Sequence, residues 1–281
     1  MKYKAEVNKI IPFSNVDGPG NRLAIFFQGC NINCSYCHNP ETINCCSHCG
    51  TCVSLCPTKA IKMVDGKVIY EEALCIGCDQ CIRTCGFNAS PKTREYTVDQ
   101  LYEVIEGYAP FIRGVTVSGG EPTQQAAFIT ELFKRVKGLG LSCFVDTNGF
   151  FNKEDMIELI QVTDQFMIDI KGINTLETLC GKRSKQHLEN LQYLLSIQKT
   201  YEVRTVVALE MVDIKETLTS VASLLKNHPS VTYRLISLHL TGLIPFQKEN
   251  LKDKVPSKAY MEELKAYVTA LGVKKVEIQS N

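Results

Sequence analysis

Two cysteine runs with the same internal spacing constrain this chain more than any other feature. Cys46, Cys49, Cys52 and Cys56 follow C-x2-C-x2-C-x3-C, and Cys75, Cys78, Cys81 and Cys85 repeat it. A third group, Cys30, Cys34 and Cys37, has the spacing C-x3-C-x2-C, so twelve of the fourteen cysteines fall between Cys30 and Cys85. Disulfides that stabilise a fold of 281 residues would be spread over it. Crowded thiols instead suit metal ligation, the fate of cysteine in a reducing cytosol. The N-terminal MKYKAEVNKI carries no apolar run of the signal-peptide kind. No stretch approaches the roughly 20 apolar residues of a membrane span, so the expected location is the cytoplasm.

The repeated quartets point to iron. In two-cluster bacterial ferredoxins the fourth cysteine of each run ligates the other cluster. That rule groups Cys46, Cys49 and Cys52 with Cys85, and Cys75, Cys78 and Cys81 with Cys56. The first run ends in Cys56-Pro57, as that motif does, and the second in Cys85-Gly86. Structural zinc would ask for paired C-x2-C hooks and not two overlapping quartets. Cys45 is spare, His48 reads as a loop residue, and Cys143 and Cys180 read as small buried thiols without chemistry. The upstream trio Cys30, Cys34 and Cys37 supplies three thiolates and no fourth. One iron of a 4Fe-4S cluster there would stay open to a substrate, just as a three-ligand zinc site keeps a position for chemistry.

Outside the cysteine-rich segment, apolar runs alternate with amphipathic stretches, the pattern of βα units around a parallel sheet. Strands are expected at 23–27, 115–118, 143–146, 166–169, 203–207 and 233–237, with a short one near Val276. Helices are expected over 98–109, 126–136, 153–161, 186–197, 215–226 and 258–271. Thr97 suits a helix cap, Pro256 and Ser257 a helix start, and Gly138 and Gly272 helix stops. The fold class is therefore α/β with six βα units. Residues 1–40 and 93–281 form the main domain, and 41–92 form a ferredoxin-like insert in its first βα loop. Ser118 to Glu121, Asp146 to Gly149, Asp169 to Lys171 and His239 fall at strand ends, the edge where parallel α/β sheets bind ligands. A formal net charge of +1 offers no field of either sign for nucleic acid or a membrane surface.

The string Asp17-Gly18-Pro19-Gly20-Asn21-Arg22, together with Cys37-His38-Asn39-Pro40, resembles the glycyl-radical-enzyme activating enzymes of the radical S-adenosylmethionine (SAM) superfamily, of which the pyruvate formate-lyase activase is one. The opening 7–14 and the place of the insert look most like the YjjW-type activases, and the similarity covers essentially the whole chain. The resemblance implies a partial (β/α)6 TIM-like barrel of the radical SAM type with an inserted bacterial-type 2[4Fe-4S] ferredoxin domain. It implies three 4Fe-4S clusters, the catalytic one held by Cys30, Cys34 and Cys37, with SAM completing its fourth iron.

By the same resemblance, Tyr36, Cys37, His38, Ser118, Gly119, Gly120, Glu121, Asp146, Asp169, Lys171, Arg204 and His239 would contact SAM. Glycine in that set lets backbone approach a ligand closely. A monovalent cation would sit among Asp146, Thr147, Met167 and Asp169, and Asp17 would grip the partner's glycine loop. The implied partners are a glycyl radical enzyme and an electron donor such as flavodoxin or ferredoxin, with no nucleic acid and no membrane, the chain itself being a monomer. Two other readings stand beside this one. A related radical SAM enzyme could act on a small molecule, as the carboxydeazaguanine synthases do, or the chain could be a non-catalytic electron carrier. The carrier explains the insert but leaves Cys30, Cys34, Cys37 and 118–121 without a purpose.

Overall fold

A computed structural model describes residues 3–241, 243 and 245–280. In chain order the strands are β1 (Lys4–Ser14), β2 (Arg22–Phe27), β3 (Ile61–Val64), β4 (Lys67–Tyr70), β5 (Arg94–Thr97), β6 (Gly114–Gly119), β7 (Ser142–Thr147), β8 (Gln165–Asp169), β9 (Thr200–Val207), β10 (Thr232–Ser237) and β11 (Lys275–Gln279). Between them run α1 (Gln80–Arg83), α2 (Val98–Tyr108), α3 (Ala126–Val136), α4 (Ile157–Val162), α5 (Leu176–Cys180), α6 (Gln186–Ser196), α7 (Ile214–Leu225), α8 (Pro245–Leu251) and α9 (Lys258–Ala270).

The main sheet is open, with strand order β11-β10-β9-β8-β7-β6-β2-β1-β5. Strands β2 and β6 to β11 are mutually parallel. Their composition explains it: RLAIFF in β2 and GVTVSG in β6 are almost entirely buried, as parallel strands covered on both faces must be. All the strands expected from apolar runs are present, and so are the helices. Thr97 caps α2 in a reciprocal capping box with Gln100, and Ser257 caps α9 by accepting from the Tyr260 N–H at 3.2 Å. Gly272, at φ 101°, follows the end of α9. The helix stop assigned to Gly138 belongs to Gly140: α3 ends at Val136, a tighter 3-10 turn covers 137–139, and Gly140 takes the left-handed closing position at φ 73°.

The sheet also has antiparallel strands that the apolar pattern does not reveal. β1 pairs with β2 on one side and with β5 on the other. Within 41–92 lies a separate hairpin, β3 against β4, turning at Asp65-Gly66 with both residues at positive φ. This segment has an apolar cluster of its own in which Ile61, Val68 and Cys81 are buried, with Cys46, Cys52, Val53, Cys56, Tyr70 and Ile82 packed against them. Its two ends meet: Asn44 forms a parallel bridge with Ala89, and the Gln28 amide donates to the carbonyls of Glu41 and Asn44 at 2.7 and 2.6 Å. No described helix is long and apolar enough to cross a membrane.

Candidate active site

The carboxyl ends of the parallel strands surround a cavity of about 310 Å³, at the lower end of the roughly 300–1,000 Å³ usual for small-molecule sites. Cys30, Cys34, Tyr36, Cys37 and His38 line one wall, Ser118, Gly119 and Gly120 another, and Asp146, Thr147, Asp169, Lys171, Arg204 and His239 the rest. Val16 and Asp17 stand at the mouth, with Val16 77% exposed.

The thiol loop leaves β2 and is tied down by main-chain bonds on both sides. Gly29 and Cys30 donate to the carbonyls of Thr42 and Ile43 at 2.8 and 2.9 Å, and Ser35 donates to Leu179 O at 2.9 Å. Burial pushes the Cys30 thiol up to about 11 and raises Cys37. Cys34 stands well above the ordinary thiol value through its hydrogen bond with Cys180 and its burial. Lys171 acts against the rise at all three. Thiolates here thus need positive charge beside them, which the iron of a cluster would supply, and three thiols on one wall, Cys34 buried and Cys30 and Cys37 half-buried, fit such a group. The Tyr36 hydroxyl is buried in the same wall without a hydrogen-bond partner.

Ser118, Asp146, Asp169, Lys171 and Arg204 form one network. Ser118 Oγ donates to Asp146 Oδ2 at 3.0 Å, Arg204 bonds Asp146 and also Asp169, the latter at 2.9 Å, and Lys171 Nζ reaches Asp169 Oδ2 at 2.7 Å. Arg204 is lowered to about 10 by burial, and Lys171 is raised despite its burial by the facing Asp169. Both cations therefore stay charged at neutral pH. The Asp169–Lys171 pair is no surface pair, its side chains being 27% and 13% exposed. Of the four residues expected around a monovalent cation, Asp146 and Asp169 are thus engaged by the chain's own cations, and Met167, buried in β8, is absent from the cavity wall.

His38 and His239 stack with ring centroids 3.8 Å apart and planes 6° from parallel. His38 Nε2 also lies 3.0 Å from the His239 carbonyl, and burial lowers His38 to about 4, so the pair is neutral at physiological pH. Glu121 does not face the cavity. Its carboxylate is buried and accepts from Thr123 N–H and Oγ, Thr147 Oγ1 and Asn148 N–H. The glycines before it answer first to a protein neighbour: a Cβ on Gly120 would stand 2.1 Å from Gly29 O, so this position must be bare for β6 to end beside the thiol loop.

Sequence reasoning passed over three residues here. Asn148 lies within the quoted 146–149 string and its Nδ2 reaches Cys30 Sγ at 3.8 Å. Cys180, read as inert, touches Cys34. Arg22, quoted with the glycine turn, lies fully buried and bonds Thr116, Val115 and Ser142. Asn148 and Arg22 had a local sign, the first in its place beside Asp146 and Thr147 and the second in its place after the glycine turn; Cys180 had none.

The quartets of 41–92 line two further cavities. Cys46, Cys49, Cys52 and Cys85 surround one, with Cys81 at its edge. Cys56, Cys75, Cys78 and Cys81 surround the other, together with Lys92. His48 is exposed and accepts from the Val68 N–H at 3.1 Å, which fastens its loop to β4. Cys45 is exposed, Cys143 is buried, and all fourteen cysteines are free of disulfides. Among the described residues no three His, Cys, Asp or Glu side chains converge tightly enough for a single metal ion; the thiols stand instead around the walls of these cavities.

Residues 24–223 match the radical SAM superfamily. A Haemophilus influenzae protein named as a glycyl-radical enzyme activating enzyme is 35% identical over 295 residues, covering 96% of this chain and 95% of its own. The choline trimethylamine-lyase activating enzyme of Oleidesulfovibrio alaskensis is 31% identical over 225 residues, 73% of this chain and 72% of its own. Among solved structures, QueE from Escherichia coli has a similar fold, with TM-score 0.56 at 14% identity over 99% of this chain and 95% of that one.

Proposed function

The chain belongs to the radical SAM superfamily and, within it, to the glycyl-radical enzyme activating enzymes, and from that membership we propose the following working of its site. The chain activates a partner glycyl radical enzyme: SAM is cleaved reductively to a 5'-deoxyadenosyl radical, which takes a hydrogen from one glycine of the partner. The observation that carries this reading is the single cavity in which three thiols, the Ser118-Gly119-Gly120 strand end and an exposed mouth at Val16 and Asp17 come together.

Cys30, Cys34 and Cys37 would hold the catalytic 4Fe-4S cluster, which would supply the electron for sulfonium cleavage. The backbone of 118–120 and the side chains of Asp146, Asp169, Lys171, Arg204 and His239 receive SAM beside it. Neutral, stacked His38 and His239 offer a flat apolar face suited to the adenine. Tyr36 keeps its hydroxyl protonated, since burial holds it well above the ordinary phenol value, and it excludes water from the thiol wall. Asp17, held by a hydrogen bond from Ser14 Oγ and by Thr116 donating to its carbonyl at 2.6 Å, grips the partner's loop at the mouth.

Residues 41–92 form a ferredoxin-type unit with two more clusters, the quartets being 46/49/52/85 and 56/75/78/81. Stability supports this. Ordering each residue costs roughly 1–2 kcal/mol, and an apolar cluster with only Ile61, Val68 and Cys81 fully buried cannot offset that alone. Metal ligation would supply the remainder. Held by these quartets, the two clusters would offer a path for electrons from a flavodoxin or ferredoxin to the thiol wall of the main cavity.

The test is electron paramagnetic resonance. Anaerobically reconstituted protein, reductant and SAM are added to anaerobic extract of the native organism. A glycyl-type doublet is the expected result. Accumulation of 5'-deoxyadenosine without a protein radical, in extract known to hold a candidate partner, would overturn the reading in favour of a small-molecule substrate.

A further inference from the structure

The side-chain amide of Asn148 has a fixed orientation. Its Oδ1 accepts from the Phe150 N–H at 2.9 Å, so its NH2 group must point the opposite way. One of those hydrogens goes to Asn31 Oδ1 at 2.9 Å, which leaves the other for Cys30 Sγ at 3.8 Å. Asn31 is itself held by donating to the Phe150 carbonyl at 2.6 Å. The Asn148 main chain is clamped from behind, its N–H donating to Glu121 Oε2 at 2.8 Å. Asn148 is 6% exposed and lines the cavity beside the thiols. A flipped amide would set Oδ1 against the sulfur and NH2 against the Phe150 N–H, so the observed orientation is the one that satisfies every partner.

We propose that Asn148 is a positioning residue that donates a hydrogen bond to the Cys30 sulfur and thereby sets the reduction potential of the catalytic cluster, with Glu121 holding it in place. This rests on the reading of Cys30 as a cluster ligand. An electron added to a thiolate-bound cluster increases negative charge on its sulfurs, and an N–H donor aimed at one of them stabilises the reduced form more than the oxidised form. The potential rises accordingly, which lets a modest biological donor reduce the cluster. It also gives the Gly-Gly-Glu segment a second purpose. The carboxylate of Glu121 acts on the cluster through Asn148 and not on SAM directly.

The experiment is a potentiometric titration of full-length, anaerobically reconstituted protein, following the paramagnetic signal that changes on addition of SAM. Asn148→Ala should move the midpoint to a more negative potential by about tenfold in the reduction equilibrium, about 59 mV for one electron. Asn148→Asp keeps the shape and the Phe150 bond but turns a carboxylate oxygen toward the sulfur. It should shift the midpoint further the same way, and it serves if the alanine variant does not fold. An unchanged midpoint with undiminished iron in either variant overturns the proposal. Cys30→Ala separates the two levels: the SAM-responsive signal should vanish, and its persistence would overturn the ligand reading itself.

Discussion

Arg22 shows how one side chain can organise a loop it does not belong to. Its guanidinium is buried beneath the glycine turn, donating to Thr116 Oγ1 at 2.7 Å, Val115 O at 2.8 Å and Ser142 O at 3.0 Å, with its carbon 4.1 Å above the Phe144 ring. Thr116 passes the constraint on to Asp17 through its carbonyl. Arg22→Met would leave these buried acceptors without donors and should lower stability by about 3 kcal/mol in chemical denaturation. Arg22→Lys should not restore it, since an ammonium cannot span the same acceptors. Gly18 sits over the same arginine at φ 116°, and a Cβ there would lie 2.9 Å from Arg22 Cδ. Gly18→Ala should therefore raise KM for the partner while leaving partner-free SAM cleavage near the parent rate. The sequence makes the thiol trio, the strand-end motifs and the glycine turn legible because each is a short local string. Asn148, Cys180 and Arg22 are not legible in the same way, because what each does depends on a contact with Cys30, Cys34 or Thr116 that only folding creates.

At the scale of elements, β2 and β6 to β8 were readable from sequence because burial on both faces leaves each with a nearly continuous buried run, while β9 to β11 were readable from shorter apolar stretches among charged residues. β1 was not, since its KAEVNKIIPFS mixes charged and apolar positions and is only partly buried. β5 is four residues with exposed Arg94 and Glu95. The β3–β4 hairpin had a sign in the Asp65-Gly66 turn, hidden within a segment dominated by cysteine spacing. Helix α6 carries a pH-dependent packing contact. His187 stacks on Phe150 with centroids 4.7 Å apart and has Nε2 3.0 Å from Gly172 O. Burial lowers it to about 4 from 6.5. Between those values the unfolded chain binds a proton that the folded chain refuses, so stability is full above about 6.5 and falls as pH drops towards 4. At pH 5 the loss from this group should be about 2 kcal/mol, measured as the difference in denaturation midpoint between parent and His187→Gln, which lacks the titration. Within 41–92, Cys78→Ala with Cys81→Ala should slow turnover driven by flavodoxin or ferredoxin and spare turnover driven by a chemical reductant. Unchanged turnover with the biological donor would count against the relay.

For the whole molecule, the three-cluster reading fixes an iron count. Anaerobically reconstituted protein should carry about twelve irons per chain, and a variant with both quartets of 41–92 replaced by alanine about four. A count near four in the parent would remove the relay and leave the activation chemistry intact. The joined ends of that segment carry a consequence of another kind. Asn44 bridges Ala89 and donates from its side chain to Phe87 O at 2.7 Å, so the polypeptide leaves and returns at nearly one point. Segments whose ends lie together can be inserted or removed without disturbing the host. The unit is thus built as a cassette. A lineage could acquire or lose residues 45–88 by a single recombination event, with only a short turn needed to close the gap, since Thr42 and Ile43, which tie down the thiol loop, lie outside the joined ends.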